Sequence, residues 1–152
     1  MLAVPFDSIV CPTDFSDCSA NALRWAVWLA TTANKPLRIL HAVHVDMPAY
    51  VTQDTRNQIL EQWDHVRRDA ELHLREWAKP HLTENLDVHY EISDAPPVEA
   101  VIASAHRDKS WVVMGTHGRT GWRQVWMGSV TTRTIEQAKV PVLAIPPDRS
   151  LC

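Results

Sequence analysis

Val113-Met114-Gly115-Thr116-His117-Gly118-Arg119-Thr120-Gly121, closed further on by Gly128-Ser129, is the stretch that decides how this chain is read. Two residues separate Gly115 from Gly118, and nine separate Gly118 from Gly128. The apolar run Trp111-Val112-Val113-Met114 leads in as a short strand, and a helical pattern leads out from Ser129. Strand, glycine loop and helix N-terminus together gather backbone N–H groups around phosphate oxygens. Glycine permits close approach and positive φ, while the helix end adds unpaired donors and a partial positive charge. The stretch therefore predicts a nucleotide site. Two neighbouring fingerprints do not fit it. A P-loop needs the Gly-Lys-Ser/Thr ending, and no such lysine stands here. A dinucleotide fold carries its glycines after the first strand, where this chain has Pro12-Thr13-Asp14-Phe15-Ser16. One mononucleotide is the better match.

Outward from that loop, strand and helix patterns alternate along the whole chain. Ser8 to Cys11 reads as a buried strand closed by Pro12, and Ser16 or Asp17 caps a helix to about Thr32. That helix turns Ala22, Leu23, Ala26, Val27, Leu29 and Ala30 inward. Leu37 to Val45 is a second strand. From about Asp54 to Lys79, Ile59, Trp63, Val66, Ala70 and Trp77 recur at the spacing of one helical face. Leu86, Val88, Tyr90 and Ile92 alternate with polar residues, as on a half-covered strand near an edge. A helix from Pro97 to Ala105, the strand from Trp111, a helix from Ser129 to Ala138 and a strand from Val140 to Ile145 complete the series. Strict alternation predicts one α/β domain over residues 1–152: a doubly wound, five-stranded parallel sheet, order 3-2-1-4-5, flanked by four helices. Its switch point lies between strands one and four, where ligands bind at the carboxyl ends. Pro12-Thr13-Asp14 and the glycine loop leave those two ends, so topology and motif locate the same site.

The 152 residues carry a formal charge of −3 with no basic stripe, which argues against a nucleic-acid partner. No apolar run approaches the ~20 residues that span a bilayer, and no signal peptide is expected from the N-terminal sequence. Three cysteines without zinc or redox spacing point to a reduced, cytoplasmic setting. His41 and His44, three apart on a strand, point to opposite faces and do not converge on a metal. No serine, histidine and acid constellation presents a nucleophile, and no catalytic residue is assigned. The charges from Asp64 to Glu76 read as the wet face of a long helix.

Gly115, Gly118, Gly128 and Ser129, with the wording Val-Met-Gly-Thr-His-Gly-Arg before and Gly-Ser-Val-Thr after, resemble the universal stress proteins in their nucleotide-binding branch. The resemblance runs from Ile9-Val10-Cys11-Pro12-Thr13-Asp14 to Val140-Pro141-Val142-Leu143-Ala144-Ile145. It implies an adenine nucleotide, ATP or else AMP or ADP, with Mg²⁺ or Mn²⁺ accompanying the phosphates. Pro12, Thr13 and Asp14 would line the base and ribose pocket, although Asp14 could instead cap the following helix. Val43 would present its backbone to the adenine edge. Met114 ends the strand that enters the loop. The phosphates would rest on N–H groups around Gly115, Gly118, Gly128, Ser129 and Val130, with Arg119 as a mobile cation. His117 reads as a loop residue, and Trp122 and Trp126 as reporters over the phosphates. The resemblance also implies a homodimer through the last strand. Hydrolysis, if any, is expected to be slow, which suits a regulatory module. Two competing readings stand beside it: a slow ATPase or phosphotransferase, and a nucleotide-free dimeric interaction protein. One departure touches the site: the turn before the third helix is usually Gly-x-Pro in this family and here reads Ala95-Pro96-Pro97.

Overall fold

The β-branched and aliphatic runs become five parallel strands in the computed structural model, which describes residues 5–44, 52–117 and 127–148. Among these residues the elements are β1 (Ile9–Pro12), α1 (Asp17–Ala33), β2 (Leu37–Ala42), α2 (Gln53–Ala78), β3 (Val88–Ser93), α3 (Pro97–Arg107), β4 (Trp111–Gly115), α4 (Ser129–Gln137) and β5 (Val142–Ile145). A single 3₁₀ turn, Lys79–His81, places Pro80 directly after α2. The strand order is β3-β2-β1-β4-β5, the order expected from the sequence.

Several boundaries differ from the sequence reading. Pro12 closes β1 as its last residue, still paired with Leu40, and the strand starts at Ile9 rather than Ser8. β2 stops at Ala42, three residues short of Val45, and β5 begins at Val142, beyond Pro141. α3 runs on two residues past Ala105. Ser16 is the α1 cap: its hydroxyl accepts the Ser19 N–H at 3.2 Å, and Asp17 is the first helical residue.

Two apolar layers sandwich the sheet. On one side Leu23, Ala26 and Ala30 of α1 meet Leu74 and Ala78 of α2 over Ile9, Cys11, Leu37, Ile39 and Val113. On the other, Ala100, Val101 and Ala105 of α3 cover Val10, Leu40 and Val112. The face predicted for α2 is only half used. Ile59, Trp63, Ala70 and Trp77 are part-buried and Val66 is 41% exposed, while the deeply buried residues of α2 are Leu74 and Ala78, which the expected face did not include. Length accounts for this: 26 residues span about 39 Å of helix, against about 20 Å for the six residues of β3. The N-terminal turns of α2 overhang the sheet. Burial also pushes the Cys11 thiol up to about 12, so it stays protonated and inert.

One charge sits inside the second layer. Arg38 of β2 reaches the Ser104 carbonyl at 3.1 Å, pairs with Asp108 at the end of α3, and lies 3.5 Å from Glu91 of β3. Ser104 donates to Glu91 at 2.8 Å. This network pins α3 across β2 and β3, which sets where the start of α3 meets the ligand edge. Arg38→Ala is expected to cost about 2 kcal/mol in urea titration, because it removes the one guanidinium that joins β2, Glu91 of β3 and the end of α3. Arg107→Ala, which removes a half-exposed partner of the same carboxylate, is expected to cost below about 1 kcal/mol.

Candidate functional site

Parallel strands that wind in opposite directions from β1 leave a crevice where the covering helices part. A cavity of about 290 Å³ opens there, at the carboxyl ends of β2, β1 and β4. Its two ends differ chemically. Leu40 and Ala42 of β2, with Pro97 and Val101 of α3, make an apolar slot at one end. At the other end stand His117 and the start of α4, Gly128 through Thr131. Thr13 and Asp14 lie between them on the β1 turn.

The α4 end is built to receive an acceptor. Gly128, at φ −67° and ψ 155°, is the N-cap and supplies no side-chain cap. The first intrahelical bond runs from Thr132 N–H to the Gly128 carbonyl at 3.0 Å. The first-turn N–H groups of Ser129, Val130 and Thr131 precede that bond and line the cavity. α1, by contrast, has its Ser16 cap. Gly128 itself plays another part: its N–H donates to the Thr116 carbonyl at 2.7 Å, so the donors facing the cavity begin at Ser129.

The two described glycines owe their place to contact, since neither has positive φ. A Cβ on Gly115 would lie 2.8 Å from Cys18 Sγ and 3.1 Å from the Cys18 carbonyl oxygen. α1 therefore approaches β4 only because residue 115 has no side chain. A Cβ on Gly128 would meet the Thr116 carbonyl oxygen at 3.3 Å, a far milder contact. Thr131 locks the same corner by donating its hydroxyl to the Gly115 carbonyl at 2.8 Å.

The β1 turn is held by a directed set of hydrogen bonds. Ser19 Oγ donates to the Ser16 carbonyl at 2.8 Å, so its bond with Thr13 Oγ1 at 2.9 Å takes the Thr13 proton. Thr13 Oγ1 then accepts the Phe15 N–H at 2.9 Å, and Asp14 Oδ1 accepts the Ser16 N–H at 3.1 Å. Asp14 thus shapes the turn ahead of the cap rather than capping α1, and lines the cavity. His41 Nδ1 lies 2.8 Å from the Thr13 carbonyl, an acceptor only, so that nitrogen carries the proton. Phe15 takes φ 65°, a conformation that costs an L-residue about 1–2 kcal/mol. Its ring offsets this by packing on His41 at 4.4 Å, His73 at 4.6 Å and Trp77 at 5.5 Å.

Of the residues singled out from sequence, Pro12, Thr13, Asp14, Met114, Gly115, Gly128, Ser129 and Val130 converge on this cavity. Val43 does not line it. It follows β2 rather than lying within it, and its N–H donates to the Ser93 carbonyl at 2.7 Å. Gly118, Arg119, Trp122 and Trp126 lie outside the described residues. His117, read as a loop residue, lines the cavity with Nδ1 2.8 Å from Thr116 Oγ1. Sequence reasoning did not single out Ser19, Leu40, His41, Ala42, Pro97, Val101 and Thr131 as site residues; the apolar ones carried no signal beyond ordinary core spacing. Ala95 needs no glycine, for it is not among the positive-φ residues, and its N–H reaches Ser93 Oγ at 3.2 Å.

A doubly wound sheet with a nucleotide-sized crevice at its switch point, entered by a glycine-started helix, defines a class of small α/β ligand-binding domains. The chain belongs to the universal stress protein family, whose model matches residues 5–146. It is 27% identical over 146 residues to the universal stress protein MJ0531 of Methanocaldococcus jannaschii, covering 92% of this chain and 82% of that one. Its fold matches the solved structure of MJ0577 from the same organism with a TM-score of 0.79 at 22% identity, over 96% of this chain and 99% of that one. It also matches a universal stress protein crystallised in complex with cAMP, with a TM-score of 0.61 at 24% identity, over 95% of this chain and 100% of the other.

Two substitution pairs separate packing from ligand contact. Phe15→Ala is expected to cost about 2 kcal/mol, as the ring is lost and the backbone strain stays. Phe15→Gly loses the same ring and is expected to unfold about 1 kcal/mol later in urea than the alanine variant. Gly115→Ala is expected to destabilise by about 1–3 kcal/mol, because α1 must move off β4. Gly128→Ala is expected to leave the thermal midpoint within a few degrees of the parent.

Proposed function

We propose that this protein binds ATP, or its relatives AMP and ADP, and acts as a regulatory module that retains the nucleotide rather than turning it over. The observation that carries the reading is the graded cavity, apolar between β2 and α3 and donor-rich at the uncapped start of α4. An adenine ring suits the slot formed by Leu40, Ala42, Pro97 and Val101. Ribose hydroxyls suit the Asp14 carboxylate between the two ends. Phosphates suit the N–H groups of Ser129, Val130 and Thr131, where the helix dipole adds to the attraction. The relative solved with cAMP supports an adenine nucleotide as the ligand class. Gly118 and Arg119 complete the phosphate end in this reading, and the Val43 backbone remains a candidate for the adenine edge.

Mg²⁺ or Mn²⁺ would arrive with a triphosphate, which supplies several of the ion's ligands itself. Asp14, the one carboxylate among the cavity's described lining residues, is assigned here to the ribose, so water would complete the ion's shell beside the phosphates. Any metal so bound would draw charge off the phosphate oxygens. We further read the protein as cytoplasmic, with its buried Cys11 and Cys18 as free thiols. We also read it as a homodimer paired through β5. A second reading, slow hydrolysis, is favoured by one observation: an imidazole, His117, stands at the donor-rich end. It predicts Mg²⁺- or Mn²⁺-dependent release of phosphate that His117→Ala removes.

The deciding experiment denatures the purified protein and identifies released small molecules by chromatography and mass spectrometry. Near-stoichiometric ATP, ADP or AMP is expected, along with calorimetric binding of added Mg-ATP that Gly128→Val abolishes while the fold persists. An empty protein that gives no heat with Mg-ATP overturns the reading in favour of a nucleotide-free interaction module.

A further inference from the structure

β5 is an edge strand, hydrogen-bonded on its β4 side. The Pro141 and Ile145 carbonyls accept from Val112 N–H at 3.0 Å and Thr116 N–H at 2.9 Å. Parallel pairing alternates, so Pro141, Leu143 and Ile145 direct their backbone groups to β4. Val142 and Ala144 then direct theirs to the open edge. An antiparallel copy of the strand would pair Val142 with Ala144 of the second copy, and Leu143 would sit on the two-fold axis.

The surface above that axis has an apolar centre. Leu143, on the same strand face as the buried Ile145, is 42% exposed. α1 runs along this face, and Asn21 Nδ2 donates to the Pro146 carbonyl just beyond β5 at 3.1 Å. Trp25 and Trp28 continue the Asn21 stripe at i+4 and i+7. They pack edge to face at 6.0 Å and remain 48% and 58% exposed. The opposite flank of α1 turns inward across the molecule, where the Thr31 and Thr83 hydroxyls lie 3.4 Å apart. Two half-exposed indoles leave roughly 200 Å² of aromatic surface beside a strand edge that is unpaired among the described residues. β5 carries no charge, and Asn21, Trp25, Trp28 and Thr32 form an uncharged stretch bordered by Asp17 at the start of α1 and by Arg24 on the flank. The far edge, β3, is guarded differently: it holds Glu91 and His89, and Arg75 lies over Tyr90 at 4.3 Å.

We propose that Trp25, Trp28 and Leu143 form a self-complementary apolar surface that seats the same surface of a second copy, on top of strand pairing through β5. A two-fold axis perpendicular to the sheet at Leu143 keeps both α1 helices on one face, so each indole pair meets its own image. The apolar centre meets its image without like-charge repulsion, and its continuity with the β5 edge selects a second copy as the occupant. This inference rests on the β5 homodimer reading and extends it to α1.

Sedimentation velocity of the full chain over a concentration series tests it. The parent is expected to be a dimer at micromolar concentration. Trp25→Glu/Trp28→Glu is expected to raise the dimer dissociation constant at least tenfold, with nucleotide binding and far-ultraviolet dichroism unchanged. Trp25→Ser/Trp28→Ser should move it the same way, which guards against a local effect of the added charges. Leu143→Lys and Leu143→Glu should each be monomeric, and mixing the two should restore a dimer, since position 143 faces itself. A double-tryptophan variant that dimerises as tightly as the parent overturns the α1 surface. In that case, loss of the dimer in Leu143→Lys keeps strand pairing, whereas a Leu143→Lys dimer removes both readings. A parent that stays monomeric at every concentration also overturns both.

Discussion

The start of α1 lies against the end of β4 at a separation that admits no side chain on residue 115. A Cβ there would stand 2.8 Å from Cys18 Sγ. That contact fixes how far α1 can slide along the sheet, and thereby where the Thr13–Ser16 turn, its N-terminal lead-in, projects over the crevice. Thr131 then binds the carbonyl of the same glycine and sets the start of α4 from the other side. Gly115 is thus the point from which the Thr13–Ser16 turn and the donor-rich helix end are both measured. Its side chain is absent for the sake of packing, and the cavity is a consequence of that packing.

A second constraint is the strained backbone at Phe15. A bulky aromatic residue at positive φ persists only where its surroundings over-determine it. Here the ring is clasped by His41 of β2 and by His73 and Trp77 of α2, and its N–H is taken by Thr13. The turn that carries Asp14 is consequently anchored to two elements other than its own. Preorganisation of this kind lowers the ordering cost of binding, because the groups facing a ligand are already fixed before it arrives.

Most of the fold was legible because parallel sheets covered on both faces demand apolar strands alternating with amphipathic helices. The strand order was the doubly wound one expected from that alternation. The misjudged positions have local physical causes. Val66 kept helical spacing but outran the sheet, since periodicity reports a face and says nothing of how long the opposing surface is. Val43 continued an apolar run past the point where β2 stops. The glycine spacing located the cavity, yet the roles differ from the phosphate-cradle picture: Gly115 serves helix packing, and the Gly128 N–H closes onto Thr116. Pro97 and Val101 were invisible as site residues because an apolar slot uses the same residue types as a core. His41 gave no signal either, as its contribution depends on a partner, Thr13, that lies 28 residues away in sequence.

The same few hydrogen bonds also tie the open edge of the sheet to the donor-rich end of the cavity. The Ile145 carbonyl at the end of β5 receives the Thr116 N–H, and the Thr116 carbonyl receives the Gly128 N–H. Cys18 lies over the Ile145 carbonyl, with Sγ 3.7 Å from its oxygen, so α1 touches this relay as well. The backbone that would pair across a two-fold axis is therefore separated from the first residues of α4 by a single loop residue. Spatial adjacency alone does not establish energetic coupling. It does define where coupling would be carried, and linkage fixes its form: any factor by which nucleotide tightens the β5 pairing must equal the factor by which pairing tightens nucleotide. Under the proposed reading, in which nucleotide is held rather than turned over, this equilibrium would be the means of output. The short path from β5 to Gly128 would be its physical route.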